Sequence, residues 1–435
     1  MKALLAFVLA VVALCLPGLA LAQTGWQIRH FALRLEPVFE TRTISGEVTM
    51  DITVDDSTLR HMDLVAGDLR ITSVKWGSAV LAFEKTAHRL RVFLPGDVPT
   101  GKNHQLQIRY DGKPTGGLRF DPDFQQVATA FSTSQWMPCL DDPSVRASFS
   151  LSLILPPELV SVGNGSQLET QRRADGKSIH RWQLDAPMPS YLYGFAAGRF
   201  EQAHQTVGAT RLQYVGAPPF NPQTLQQVFA DSADMLAFYA SKSGVAYPLA
   251  TYSQVLLSGP AAQEMAGFSV MGVRYGARVL ADPHAIWLGA HEMAHQWWGN
   301  GVTNRSWRHF WLNEGIATFM TAAYMEHRLG NAAYAQQIDA ARTKYTAIKE
   351  AGLDRSLVFP DWNAPTATDR SLVYDKGALV MHELRMLLGE ERFWNALKHY
   401  TRTHWGQSVE TADFQRAMEA SSGMDLGAFF RQWVY

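Results

Sequence analysis

The sequence predicts an α+β protein in two parts, an N-terminal antiparallel β sandwich or saddle followed by a mainly α domain. Three observations carry this. From residue 26 to about 204 apolar and polar residues alternate at period two, as half-buried strands require. After about Thr206 the period lengthens to that of amphipathic helices. With 435 residues, 47% of them hydrophobic, the chain can build more than one core. The expected divisions are a leader over residues 1–22, a β domain over 23–204 and a helical domain over 205–435.

The leader opens with one Lys, continues through an apolar run from Ala3 to Leu16 and closes on Ala20-Leu21-Ala22. That is the pattern of a secretory signal peptide cut before Gln23. The run is short for a membrane anchor and no basic stop follows it. No later stretch is apolar enough to span a bilayer, so no stable membrane insertion is expected after cleavage. Of the two cysteines, Cys15 belongs to the leader, which leaves Cys139 without an internal partner. An exported chain without disulfides suits a bacterial periplasm, or secretion. Formal net charge is −1 and there is no long basic run, which excludes nucleic acid as a partner.

In the first part, 31–35, 46–54 and 105–110 read as strands. Pro95-Gly96-Asp97, Asp111-Gly112-Lys113-Pro114 and Ala174-Asp175-Gly176-Lys177 read as turns. Cys139, among Pro, Met and Trp, lacks an activating base and reads as a packed thiol. In the second part a helix is expected over 221–241, capped by Asn221 with Pro222 in its first turn, and then a strand over 252–257. Further helices are expected over 331–351, 374–388, 391–403 and 411–421, with a loop over 353–369 bordering a cleft. Trp297 and Trp298 read as core.

The chemistry concentrates in 290–319. His291, Glu292 and His295 form an H-E-x-x-H, and on a helix residues four apart present both imidazoles to one metal ion. Glu292 then lies beside the metal, where a base that activates water belongs. Glu314, within Asn313-Glu314-Gly315, follows at a distance that suits a third ligand on a second helix and leaves one position open for water. The metzincin pattern does not fit, because Trp298 and Gly301 stand where it needs Gly and His.

H-E-M-A-H-Q-W-W-G-N (291–300) followed by W-L-N-E-G-I-A-T-F (311–319) resembles the zinc-dependent aminopeptidase N and leukotriene hydrolase family of gluzincins. Landmarks of the β domain match too: Met137 to Pro143, Arg146-Ala147-Ser148-Phe149 and Tyr191 to Phe200. The resemblance implies a thermolysin-like second domain, one zinc ion per chain on His291, His295 and Glu314, and a peptide substrate. It implies Glu292 as general base, Tyr374 in Tyr-x-Lys-Gly as oxyanion donor and Glu264 as acceptor of the substrate's ammonium. Asn313 is expected to orient the second metal helix. The chain departs from the family around Glu264, with Ala261, Gln263 and Met265 where the family has Gly, Met and Asn. It departs again where the family places a substrate-holding Gln: Ala130 is the counterpart, with Gln125, Gln126 and Gln135 as substitutes. The resemblance stops short of the family's large helical cap, so a more open cleft is expected.

The reading is an exported zinc aminopeptidase. An open-cleft metallo-endopeptidase is the alternative, and a non-catalytic protein stapled by zinc the third, which an intact Glu292 disfavours because a structural site needs no base.

Overall fold

The computed structural model describes residues 25–359, 362 and 365–435; the expected leader lies outside them. Trp26–Val38 alternates buried and exposed side chains. It pairs antiparallel with Thr43–Val54, from Trp26 opposite Val54 to Val38 opposite Thr43. These two strands sit mid-sheet among eight, in the order Ser166–Arg172, Ser178–Pro189, Arg146–Leu155, Trp26–Val38, Thr43–Val54, Asn103–Gly112, Arg70–Trp76, Ala79–Val80. Leu33, Val48, Phe149 and Leu151 belong to the core on its inner face. One pairing is not antiparallel: Trp26–Val38 runs parallel to Arg146–Leu155, His30 opposite Ser148 through Leu35 opposite Leu153. The long chain between them visits other sheets, so no hairpin dictates direction, and period two says nothing of it.

A four-stranded sheet, Val160–Gly163, Phe195–Gly198, Gln126–Thr129 and Leu118–Asp121, faces the second part of the molecule. There a five-stranded sheet is ordered Glu201–Val207, Thr210–Gly216, Thr251–Leu257, Phe268–Gly272, Ala262–Gln263, with parallel central pairs. The expected boundary at 204/205 falls inside its first strand. Ala128, Val162 and Ala196 from one sheet pack with Val255, Phe268 and Val270 from the other. Each large side chain buried in that seam contributes about 1.5–3 kcal/mol, so the two parts adhere through apolar surface.

Helices build the rest: Trp311–Leu329, Asn331–Glu350, Gly377–Leu388, Glu390–Thr403 and Thr411–Ser422. The helix expected over 221–241 is two, Pro222–Val228 and Ser232–Ser243. Asn221 caps the first, its Oδ1 accepting from Thr224 N at 2.9 Å. The break follows Phe229, whose carbonyl takes the Ser232 N–H, while the buried Ser232 hydroxyl turns inward to Gln254. Among the described residues no helix is long and apolar enough to cross a membrane.

Candidate active site

His291 lies in the last turn of the helix Trp287–Ala294, and His295 just past it keeps helical angles. The four-residue spacing therefore puts both rings on one face, with Nε2 atoms 3.1 Å apart. Glu314, in the first turn of Trp311–Leu329, brings Oε2 to 3.3 Å from His291 Nε2 and 3.2 Å from His295 Nε2. All three residues are buried. His295 Nδ1 donates to the Trp298 carbonyl at 3.0 Å, which fixes its tautomer and turns an Nε2 lone pair toward Glu314. Glu314 Oε2 then has no hydrogen-bond donor among the described residues.

Acceptors converging in this way repel unless a cation joins them. Ligand atoms about 2.0–2.2 Å from a tetrahedral zinc stand roughly 3.3–3.5 Å apart, close to the observed edges, so the donor set fits zinc with one position left over. The field agrees. Burial opposes ionisation of Glu314, yet attraction to the imidazoles outweighs it and brings the carboxyl to about 2. Burial also opposes charge on His295, and the carboxylates of Glu314, Glu264 and Glu292 override it, so the surroundings favour positive charge at this point, as a bound cation supplies.

Glu292 follows His291 on the helix and is buried. Burial pushes its carboxyl well above the ordinary range; His295 opposes this and the charges of Glu264 and Glu314 add to it. Tyr374 sits in a π-helical turn, Leu372–Lys376, between Ala367–Ser371 and Gly377–Leu388. The wider turn re-aims the side chains it carries. The phenol ring stacks on His291 with centroids 5.9 Å apart. Burial, then Glu314, Glu264 and Glu292, raise its hydroxyl far above the ordinary value, so it stays a donor. Both neighbours of Tyr374 on its C-terminal side are tied: Lys344 Nζ reaches Asp375 at 2.9 Å, and Lys376 Nζ reaches Asp354 and the Arg355 carbonyl at 2.8 Å.

Glu264 is buried in the loop between Ala262–Gln263 and Phe268–Gly272. Burial raises its carboxyl; His295 lowers it and Glu314 raises it, which places the group in the field of the metal ligands. The structure thus brings His291, His295 and Glu314 together, stacks Tyr374 on His291, and leaves Glu292 and Glu264 within the field of those groups.

Residues 228–433 match the peptidase family M1 domain, and residues 27–192 match the peptidase M1 N-terminal domain. The chain belongs to peptidase family M1. Among solved structures this M1 chain is similar to the M1 zinc metallopeptidase from Deinococcus radiodurans, at 23% identity and TM-score 0.80, over 94% of this chain and 93% of that one. An E323A mutant of the Deinococcus protein bound to a Tyr-Ser-Ala substrate matches at 23% identity and TM-score 0.80, with 95% of both chains covered. Aminopeptidase 2 of Candida albicans is 24% identical over 93% of this chain and 46% of its own length. Aminopeptidase M1 of Arabidopsis thaliana is 26% identical over 93% and 50%. The chain spans about half the length of these relatives.

Several supporting residues of the M1 chain escaped sequence reasoning. Gly315 and Gly377 are where two helices cross: a Cβ on Gly377 would lie 2.7 Å from Gly315 Cα, and one on Gly315 would lie 2.8 Å from Gly377 Cα. Their place beside Glu314 and after Tyr374 was the available signal. Asn313, expected to orient the second metal helix, accepts from Asn304 N at 3.1 Å and donates to the Tyr191 hydroxyl at 3.1 Å. Tyr191 in turn donates to the Gly299 carbonyl at 3.0 Å. Trp297 and Trp298 are core, their indole N–H groups bonded to the Val245 carbonyl and Thr401. Cys139 is buried, which pushes its thiol up, and Asp141 adds to this.

The amides proposed for the substrate-holding role are engaged elsewhere. Gln125 bonds Arg199, Gln126 accepts from Ser258 N at 3.0 Å, and Gln135 packs against Gly67. The amide next to Glu264 is Gln263, whose Oε1 accepts from Phe131 N at 2.7 Å, directly after Ala130.

Proposed function

We propose that this chain is an exported zinc aminopeptidase that holds one zinc ion on His291, His295 and Glu314 and removes N-terminal residues from peptides. The observation that carries it is Glu264, a buried carboxylate in the field of the metal ligands. A carboxylate there accepts charge-assisted hydrogen bonds from a substrate ammonium and so fixes the first peptide bond over the metal group. The Deinococcus protein is described with a Tyr-Ser-Ala substrate bound, and the Candida and Arabidopsis relatives are named aminopeptidases, which supports the same reading.

Zinc, when bound, supplies Lewis-acid polarisation of the scissile carbonyl and of a water molecule. Glu292 takes the proton of that water; burial raises its carboxyl and makes it a stronger base than an exposed glutamate. It then returns the proton to the leaving amine. Tyr374, held protonated, donates to the oxyanion that develops at the carbonyl.

The test compares peptides with free and N-acetylated amino termini. Free peptides should be cut at the first bond and acetylated ones poorly. Glu264→Ala should weaken cleavage of free peptides by roughly 2–4 kcal/mol while sparing acetylated ones. Equal cleavage of both, at internal bonds, overturns the proposal in favour of an endopeptidase.

A further inference from the structure

We propose that Gln296 and Asn300 are positioning residues for Glu264, and that they set the distance between the metal ligands and the ammonium acceptor. This rests on the aminopeptidase reading. The segment Glu264-Met265-Ala266-Gly267 lies between two strands and outside their ladders, so its buried peptide groups need other partners. Its chain turns through the left-handed region at Gly267, φ +86°. A side chain there would be strained and would meet Leu249 at 3.0 Å and the Gly165 backbone at 3.2 Å.

Backbone groups satisfy part of this segment: Ala266 N donates to the Leu192 carbonyl, and the Gly267 and Met265 carbonyls accept from Ser253 N and Phe268 N. Side-chain amides supply the other bonds. Asn300 Nδ2 donates to the Glu264 carbonyl at 3.2 Å and to the Met265 carbonyl at 3.3 Å. Gln296 Nε2 donates to the Met265 carbonyl at 3.1 Å, and its Oε1 accepts from Gly267 N at 3.0 Å. Asn164 Nδ2, from the N-terminal domain, donates to the Ala266 carbonyl at 2.8 Å. Gln296 and Asn300 are 5% and 1% exposed, so water does not compete for these bonds.

What separates Gln296 and Asn300 from Asn164 is where they come from. Gln296 follows the ligand His295 directly, and Asn300 N bonds the His295 carbonyl at 3.0 Å. The turn that carries a metal ligand therefore also grips the backbone of the ammonium acceptor. An aminopeptidase must hold metal and ammonium site one residue's length apart, and a misplacement of about 1 Å costs on the order of 10²-fold in rate. The two amides make that distance a property of one rigid unit.

The experiment uses the zinc-loaded full chain and its Gln296→Ala, Asn300→Ala and Gln296→Glu variants. The last keeps an acceptor for Gly267 N, removes the donor to Met265 and adds a buried carboxylate. Each variant should retain zinc and its kcat/KM on an N-acetylated chromogenic peptide. The preference for the free-amine form should fall by about tenfold, the factor that one ionic hydrogen bond out of line supplies. In a Glu264→Ala background the same changes should produce no further fall, which a merely structural role would not predict. A second readout is calorimetric binding of leucinamide and N-acetyl-leucinamide to the Glu292→Gln protein: Gln296→Ala should weaken only the former.

Wild-type preference in zinc-replete Gln296→Ala and Asn300→Ala overturns the proposal. So does loss of zinc from all three variants, which would make the amides supports of the metal ligands. If the wild type itself shows no preference for free amines, the aminopeptidase reading fails and this inference falls with it.

Discussion

Replacing Gly377 with Ala asks whether a helix crossing sets the spacing between Glu314 and Tyr374. Local propensity favours the change: Gly377 has ordinary helical angles, φ −58° and ψ −44°, and Ala is about 1 kcal/mol better than Gly in a helix. Packing opposes it. The new Cβ would stand 2.7 Å from Gly315 Cα, roughly 1 Å inside the 3.5–4.0 Å at which carbon atoms rest in contact. Gly315 presents backbone there, so no side chain can rotate away, and overpacking costs about 1–3 kcal/mol. The net effect on stability is a loss of about 0–2 kcal/mol. Activity should suffer more. To relieve the contact the helices must part by about 1 Å, and they carry Glu314 and Tyr374 next to the crossing; a shift of that size costs on the order of 10²-fold. The assay is steady-state peptide hydrolysis beside metal analysis and thermal unfolding. A folded, zinc-replete Gly377→Ala protein with the wild-type kcat would refute the reasoning.

Glu292→Gln should keep the metal and lose turnover, measured by metal analysis and peptide cleavage, whereas His295→Ala should lose the metal itself. Tyr374→Phe should lower kcat by about 10²–10³ with little change in substrate affinity; an unchanged rate would make Tyr374 a packing residue. Removing zinc with a chelator should abolish hydrolysis, and added zinc should restore it. N-terminal sequencing of the protein recovered from the host's periplasm or medium should begin at Gln23; an uncut chain retained in the cytoplasm would remove export from the proposal.

The N-terminal domain takes part in this site as well as packing beside it. Arg146, on a strand of the eight-stranded sheet, donates to Thr303 at 2.6 Å and to the Asn300 carbonyl at 3.0 Å. Burial lowers its guanidinium to about 10, with Tyr191 and Tyr193 opposing, so it remains charged at neutral pH. A buried cation satisfied by hydroxyl and carbonyl dipoles holds those dipoles firmly, because leaving it unmatched is costly. Tyr191, from the same domain, bridges Asn313 and the Gly299 carbonyl. Both turns adjoining the metal ligands therefore depend on the β domain.

How much of this was legible follows from the range over which each feature is encoded. The metal ligands are short-range: two histidines four apart on a helix and a carboxylate opening another, so residue type and spacing suffice. The alternation of strands and the stripes of helices are local too, and most of the expected helices fall within a residue or two of those observed. Pairing direction is not local, and the parallel contact of Trp26–Val38 with Arg146–Leu155 left no mark on period two. Nor did the π turn at Tyr374, since one residue more per turn leaves the apolar stripe nearly unchanged. Hardest to read were amides such as Gln296, because a polar residue amid apolar neighbours only acquires meaning from the carbonyl it faces across the fold. Gln296 sits inside the motif that named the metal helix, yet its partners are Met265 and Gly267, some thirty residues earlier. A buried amide beside a ligand histidine is thus a sequence-visible flag that a distant backbone segment is being held at the metal, even where the segment itself cannot be named.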